Sequence, residues 1–423
     1  MKTNPCHNNP NRRASIVLLV ALCLATQFSA RAGSPPVVTA VTAAQAALPS
    51  KDVNISYTIS DPDSTSANVY VIVSSDSGNS WVVNATNFSG NYGPGMAVTA
   101  TPTTKSVVWH AGTDWDGNFS THCRVRVIAC DNGMVLIPAG SYLRGNPPAL
   151  GDSDITDAPQ YPVFVNAFLM DSNLVSGGLW SSVYSYALTN GYTFDNAGSF
   201  KGANQPVQSI NWYDAIRWCN ARSEMEGLHP FYEMSVDGGA TWIAFWARQG
   251  YPDPNTSIPG ILLRGSSTGA NSYRLPTEAE WEKAARGGAT GHRFPWSDTD
   301  HISESRANYL SDSNLLPYDD SNTGNNPTYA TGSLPYTSPV GSFAANGYGL
   351  YDMAGNTFEW CGDWYGSYTF DQTNPQGPSS GSYRVVRGGC WNFSPGYARC
   401  AFRNISSPEY PNSNWGFRCV RGF

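Results

Sequence analysis

Eighteen residues, Gly347-Tyr-Gly-Leu-Tyr-Asp-Met-Ala-Gly-Asn-Thr-Phe-Glu-Trp-Cys-Gly-Asp-Trp364, constrain this chain more than any other stretch. No helical or strand period fits them. Gly347, Gly349 and Gly355 supply backbone conformations that other residues reach at a cost. Asp352 and Glu359 offer hard oxygen ligands, with Gly355, Asn356 and Thr357 between them to turn the chain back. Calcium is bound in this way, by carboxylates and backbone carbonyls on an irregular loop. The competing reading is an aromatic turn that closes a core, with Asn356 bonding its own backbone.

The chain has 423 residues, enough for two or three domains. Its first residues read as a secretory signal peptide, 1–32. Lys2, Arg12 and Arg13 precede an apolar run, Ile16 to Ala25, that is too short to span a membrane, and Ala30-Arg-Ala32 fits a cleavage site. The expected location is secreted or periplasmic. Cleavage removes four basic residues and no acid, so the formal charge of −7 becomes more negative by four. A chain this acidic excludes a nucleic-acid partner, because nothing basic would neutralise phosphates. No other run approaches membrane-spanning length. Cys123, Cys130, Cys219, Cys361, Cys390, Cys400 and Cys419 remain, an odd number, in a compartment that permits disulfides.

Residues 33–131 read as all β. Val53, Ile55, Tyr57 and Ile59 alternate with polar neighbours, and Val69, Val71 and Val73 repeat the period of two. Further strands are expected at Trp81-Val-Val, Val107-Val-Trp109 and Cys123 to Cys130. About seven short strands predict a β-sandwich of the immunoglobulin or fibronectin kind. Cys123 and Cys130 point to opposite faces of one strand, roughly 23 Å apart, and cannot bond to each other.

Residues 132–423 read as a large α+β domain with little regular structure. Strands are expected over Gln160 to Phe168, Arg384 to Arg387, Cys400 to Phe402 and Gly416 to Val420, and a first helix over Gly178 to Leu188. Trp212, Ala215, Ile216 and Cys219 form one apolar helical face behind an Asn211 N-cap. Residues 222–272 read as an irregular insertion. Thr277-Glu-Ala-Glu280 is a capping box, and its helix ends at Gly287-Gly288.

Five separated motifs occur in one order: Asn211 to Cys219, Tyr273 to Gly288, the opening stretch, Arg387-Gly-Gly389 and Gly416-Phe-Arg-Cys-Val420. Together they resemble the formylglycine-generating enzyme, or sulfatase-modifying factor, family from about Met134 onward. The resemblance implies a C-type-lectin-like topology. It implies a disulfide between Cys219 and Cys419, while the partner position of Cys400 is Ala285, so Cys361, Cys390 and Cys400 compete for at most one further bond. It implies a structural calcium held by Asp352, Gly355, Thr357 and Glu359. A second, weaker calcium maps to Asn308 and Tyr309, where the acidic ligand falls on Gly332 and another carbonyl donor on Leu334, unless Asp319 or Asp320 substitutes.

Family enzymes oxidise a sulfatase cysteine to formylglycine with copper held by two cysteines, and soft thiolates suit copper(I). Here those positions fall on Phe393 and Pro395. The family's serine after Gly-Gly is Cys390, and its tryptophan before Glu-Trp is Phe358. This degenerate site argues against copper as cofactor, leaving a Cys390–Cys400 pair as the only alternative soft site. His110, His122, His229, His292 and His301 are scattered, and no phosphate loop or nucleophile elbow is present. The expectation is a non-oxidative binding protein for a peptide, protein or glycan. Asn392, Phe393, Tyr397, Asn404, Tyr410, Asn412, Asn414 and Trp415 form its aromatic, amide-rich terminal region. The alternative is a working formylglycine-generating oxidase.

Overall fold

The computed structural model describes residues 33–235, 237–245, 262–265, 271–322, 324–368 and 373–422; the expected signal peptide, 1–32, and most of the insertion's middle lie outside them. Alternating apolar residues build two facing sheets at the N-terminal end. One has the order β1 (Val37–Gln45), β2 (Val53–Ser60), β6 (Thr103–Trp109), β4 (Phe88–Gly90); the other is β5 (Gly93–Ala97), β3 (Ser66–Ser74), β7 (Arg124–Cys130). Ile55, Tyr57 and Ile59 meet Val69, Val71 and Val73 between the sheets in one core. The expected Trp81 strand shrinks to a single bridge between Val83 and Val73. A four-residue helix, α1 (Ala111–Asp114), closes this end.

The outer face of the β3–β7 sheet is covered too. Ile72, Ile128 and Cys130 belong to the same core as Met134, Leu169, Trp218 and Phe417 of the second domain. Asn68 Nδ2 donates to Met134 O across the junction at 2.8 Å. The sandwich is therefore welded to the second domain and is not a loose spacer.

In the second domain, β8 (Met134–Ile137), β11 (Phe168–Asp171) and β21 (Val420–Arg421) form a small sheet, and β9 (Gly140–Arg144) pairs with β10 (Tyr161–Val165). Helix α2 (Gly177–Thr189) packs on α3 (Trp212–Met225), where Trp180 and Trp218 stack with ring centres 5.9 Å apart. Asn211 and Asp214 complete a capping box on α3. The expected single apolar face is only half of what α3 buries: Asp214, Arg217 and Asn220 on its other side are also fully enclosed. Asn220 achieves this by bonding the backbone of Tyr232 in both directions.

Several expected boundaries move. Helix α3 runs on to Met225, and the insertion folds as a three-stranded antiparallel sheet of β12 (Tyr232–Ser235), β13 (Ile243–Ala244) and β14 (Leu262–Gly265). Residues 293–343 stay almost free of regular structure, with one short pair, β15 (Leu310–Ser311) and β16 (Gly324–Asn325). The main sheet of this half has the order β19 (Asn404–Ser406), β18 (Arg384–Arg387), β17 (Phe358–Trp364), β20 (Trp415–Gly416). Cys400 to Phe402 is thus a turn and not a strand. The expected strand at Gly416 to Val420 splits in two, because Trp415–Gly416 pairs with β17 while Val420 pairs with β11. The intervening Arg418 turns inward to Glu359.

The short helix α4 (Glu278–Ala285) carries the capping box of Thr277 and Glu280 and is buried along its whole length. Glu278 accepts from Arg144 at 2.8 Å and from Arg403 at 2.6 and 3.0 Å. Glu282 accepts from Gly145 N, Arg286 and Arg387, the last at 2.6 Å. Burial alone would raise the Glu278 carboxyl, but Arg403, Arg144 and Arg387 overcome it and hold it at about 2.

Candidate functional site

Strand β17 presents Phe358 and Glu359 in succession, and its pairing with β18 sets Glu359 opposite Arg387. Gly388 and Gly389 come next, both with positive φ (93° and 73°). A Cβ on Gly389 would lie 2.9 Å from Ala398 N, so the backbone needs a glycine to pass under the turn Pro395–Ala398. This crossing brings Phe358, Phe393 and Tyr397 together. Their rings pack edge to face, with centres 5.4 Å apart for Phe358–Phe393, 4.9 Å for Phe393–Tyr397 and 6.2 Å for Phe358–Tyr397. Hydrocarbon fills the place where thiolates were looked for, and Pro395 is buried at the start of the turn.

Cys390 lies beside this trio, almost wholly buried. Its thiol donates to Asn392 Oδ1 at 3.1 Å and accepts from Asn414 Nδ2 at 3.3 Å, while Asn414 also donates to Asn392. Burial raises its thiol far above the usual range, which disfavours the thiolate a soft metal needs. Cys400 belongs to a different core cluster, with Cys361, Trp281 and Val385. Of the aromatic, amide-rich region, Trp415 packs between Trp360 and Tyr410, Asn414 is buried, and Tyr410 is exposed.

The expected calcium ligands divide. Asp352 sits at φ 54° with Oδ2 accepting from Gly341 N at 2.7 Å, and its Oδ1 is buried with no hydrogen-bond partner. Burial pushes this carboxyl up to about 6, with the charge of Glu359 adding to the rise. Gly355 is pinned, since a Cβ there would come within 2.3 Å of Asn308 O. Glu359 departs from the expectation of an uncommitted carboxylate. Both its oxygens hold Arg418, at 2.7 and 3.0 Å, and both side chains are fully buried. Of the two expected carboxylates, Asp352 keeps one buried oxygen without a hydrogen-bond partner, and Glu359 keeps only the lone pairs that Arg418 leaves. Among the described residues no group of three or more His, Cys, Asp or Glu side chains could hold a metal, so carbonyls would have to supply much of any set.

The second calcium position is committed elsewhere. Asn308 Nδ2 donates to Tyr336 O and Asn308 O accepts from Asn356 N. The Tyr309 hydroxyl donates to Asp319, whose carboxylate also accepts from Ser311 Oγ, Asp312 N and Ser321 N. Asp320 pairs with His301. Asp319 and Asp320 are thus both engaged within the protein.

Residues 125–423 match the sulfatase-modifying factor enzyme 1-like domain. The chain belongs to that family. It is 31% identical over 305 residues to the formylglycine-generating enzyme of Mus musculus, covering 68% of this chain and 74% of that one. It is 32% identical over 299 residues to the serine/threonine-protein kinase pkn1 of Chlamydia caviae, covering 68% of this chain and 38% of the kinase's length. Among solved structures it is similar to Treponema denticola variable protein 1, with 30% identity, a TM-score of 0.51 and coverage of 70% of this chain and 95% of that one. The family match begins inside β7, so the last strand of the sandwich and the family domain are continuous in sequence as well as in packing. Sequence reasoning missed Arg144, Arg387 and Arg403 as partners of α4, although Arg387 stands in one of the five motifs; no local spacing signals which carboxylate each will meet.

Proposed function

We propose that this protein is a secreted, non-oxidative ligand-binding member of the family, taking a peptide, protein or glycan, on a C-type-lectin-like domain joined to an immunoglobulin- or fibronectin-like sandwich. The observation that carries this reading is the Phe358–Phe393–Tyr397 cluster, in which Phe393 stands at one of the two expected copper-cysteine positions and packs against two further rings, while the other position is the buried Pro395. The alternative, a formylglycine-generating oxidase, would need a thiolate pair, and burial pushes the Cys390 thiol well above the usual range. Copper(I) titration and a cysteine-to-formylglycine assay on a sulfatase peptide test this. The expected result is no formylglycine and no tight copper(I) uptake. Tight uptake lost in Cys390→Ser would overturn the reading.

We also propose a structural calcium at Asp352, Gly355 and Thr357, with Glu359 contributing through its free lone pairs, and at most a weak second site at Asn308 and Tyr309. The orphaned Asp352 Oδ1 supports it. Binding to the native state alone stabilises by mass action, about 2.7 kcal/mol at a hundredfold excess over Kd. A chelator should lower the Tm of the wild-type chain. Asp352→Asn should abolish most of that shift, and Asn308→Ala should leave it. Because the sandwich shares a core with the second domain, one transition should move as a whole. A chelator-insensitive melt with no co-purifying calcium would leave the stretch 347–364 as an aromatic turn only.

A further inference from the structure

A cavity of about 660 Å³ opens between the start of α4, the β12–β14 sheet, the ends of β17 and β18 and the segment around Gln376. Its size suits a small organic ligand. Phe358, Cys390, Phe393 and Tyr397 take no part in its wall; Trp212, Tyr232, Asp363, Trp364, Gln376 and Arg384 do.

The wall has an unusual electrostatic composition. Arg384 lies flat between two indoles, 3.7 Å from the Trp212 ring centre and 3.5 Å from that of Trp364. Its Nη1 donates to Gly362 O, but its Nε is buried without a partner. Asp363 accepts from Glu278 N through Oδ2 at 2.8 Å, and its Oδ1 is likewise buried and unpartnered. The other wall arginines are already neutralised, Arg274 by Glu280 at 2.7 and 2.6 Å and Arg264 by Glu233 at 2.9 Å. Exposed amide groups, Gln376 among them, stand at the rim.

Each ligand class meets this wall differently. An anion drawn to Arg384 is repelled by Asp363, and a cation drawn to Asp363 is repelled by Arg384, since both line the same wall. A purely apolar ligand would leave Asp363 Oδ1 and Arg384 Nε buried without a bond, which is costly. A hydroxyl both donates and accepts, so one type of group can serve an acceptor and a donor in turn. A sugar ring adds C–H faces that lie well on indole and phenol surfaces. We propose that this cavity is a binding site for a neutral saccharide. The inference rests on reading the chain as a binding protein, but it uses a part of the molecule that the degenerate copper position does not touch.

Intrinsic tryptophan fluorescence of the whole protein, titrated with cellotriose, maltotriose and triacetylchitotriose, tests it. Trp212 and Trp364 in the wall are the reporters. At least one sugar should give a saturable change. Gln376→Ala, at an exposed position, and Asp363→Ala, with folding checked by Tm, should each weaken it about tenfold. Leu315→Ala, exposed and outside the cavity wall, should leave it unchanged. No saturable response to any of the three sugars up to millimolar concentration would overturn the site while leaving the copper result standing. A response that both wall variants leave intact, or that Leu315→Ala removes, would overturn its location.

Discussion

Glu278→Ala is expected to cost about 3–5 kcal/mol, the penalty for removing one partner of a buried ionic cluster. The carboxylate is 2% exposed and receives bonds from Arg144 and Arg403, with Arg387 Nε 3.6 Å away. Its removal takes the carboxylate from buried Arg144 and leaves Arg403 only Asp157, 3.5 Å away, while Arg387 keeps Glu282. Glu278→Gln should recover little, since an amide accepts fewer bonds and carries no charge. The pH dependence has a definite sign. The folded pKa, at about 2, lies below that of the unfolded chain, so the contribution is complete above about 4.5 and disappears as pH falls from there towards 2. Urea unfolding at neutral pH, repeated in steps down to pH 3, measures both effects. A cost under about 1 kcal/mol for Glu278→Ala would mean that the arginines find other partners, contrary to this geometry.

Reduction is expected to produce an effect of similar size. Cys219 Sγ on α3 and Cys419 Sγ beside β21 lie 3.5 Å apart, fully buried, as two thiols. We propose that they are bonded in the oxidised, exported protein. The link would close a loop of about 200 residues and could contribute up to about 5 kcal/mol by restricting the unfolded chain. Cys219→Ser should lower the denaturation midpoint by most of what reductant does, and reductant should add nothing to that variant. Because the pair is buried, reduction of the native state should need prior opening and be slow. Peptide mapping that recovers Cys219 as a free thiol from exported protein would sink the proposal.

What could be read along the chain was what short-range physics fixes. The capping boxes of α3 and α4 depend on residues three apart, and the strand alternation of Val53 to Ile59 on neighbours two apart. The motif order singled out Phe358, Phe393 and Cys390 one position at a time, and the fold brings them into one core. What could not be read was which distant groups would meet. The arginines of Glu278 lie 134 and 125 residues away. The commitment of Glu359 to Arg418 spans 59 residues, and it changes the meaning of a carboxylate that looked like a ligand. The polar side of α3 finds its partners elsewhere in the chain, Asn220 at Tyr232 and Phe245 of the folded insertion and Asp214 at Asp195 and Asn196. Strand β19 was misplaced by a few residues because Cys400 and Ala401 carry strand-like side chains, whereas pairing with β18 selects Asn404–Ser406.

The shared core of Ile72, Ile128, Met134, Trp218 and Phe417 has a mechanical consequence. A domain joined by a flexible linker lets its neighbour tumble, and its own attachment says nothing about how the neighbour is aimed. Here the β3–β7 sheet is seated on the second domain, leaving no hinge at Asp131. Load applied along β1 or β7 would be carried into α3, whose first residue, Trp212, lines the cavity. The sandwich then sets the heading at which the far half meets its surroundings, and a cut at residue 132 would strip apolar cover from Met134 and Leu169, so that half should not survive alone as a soluble fragment.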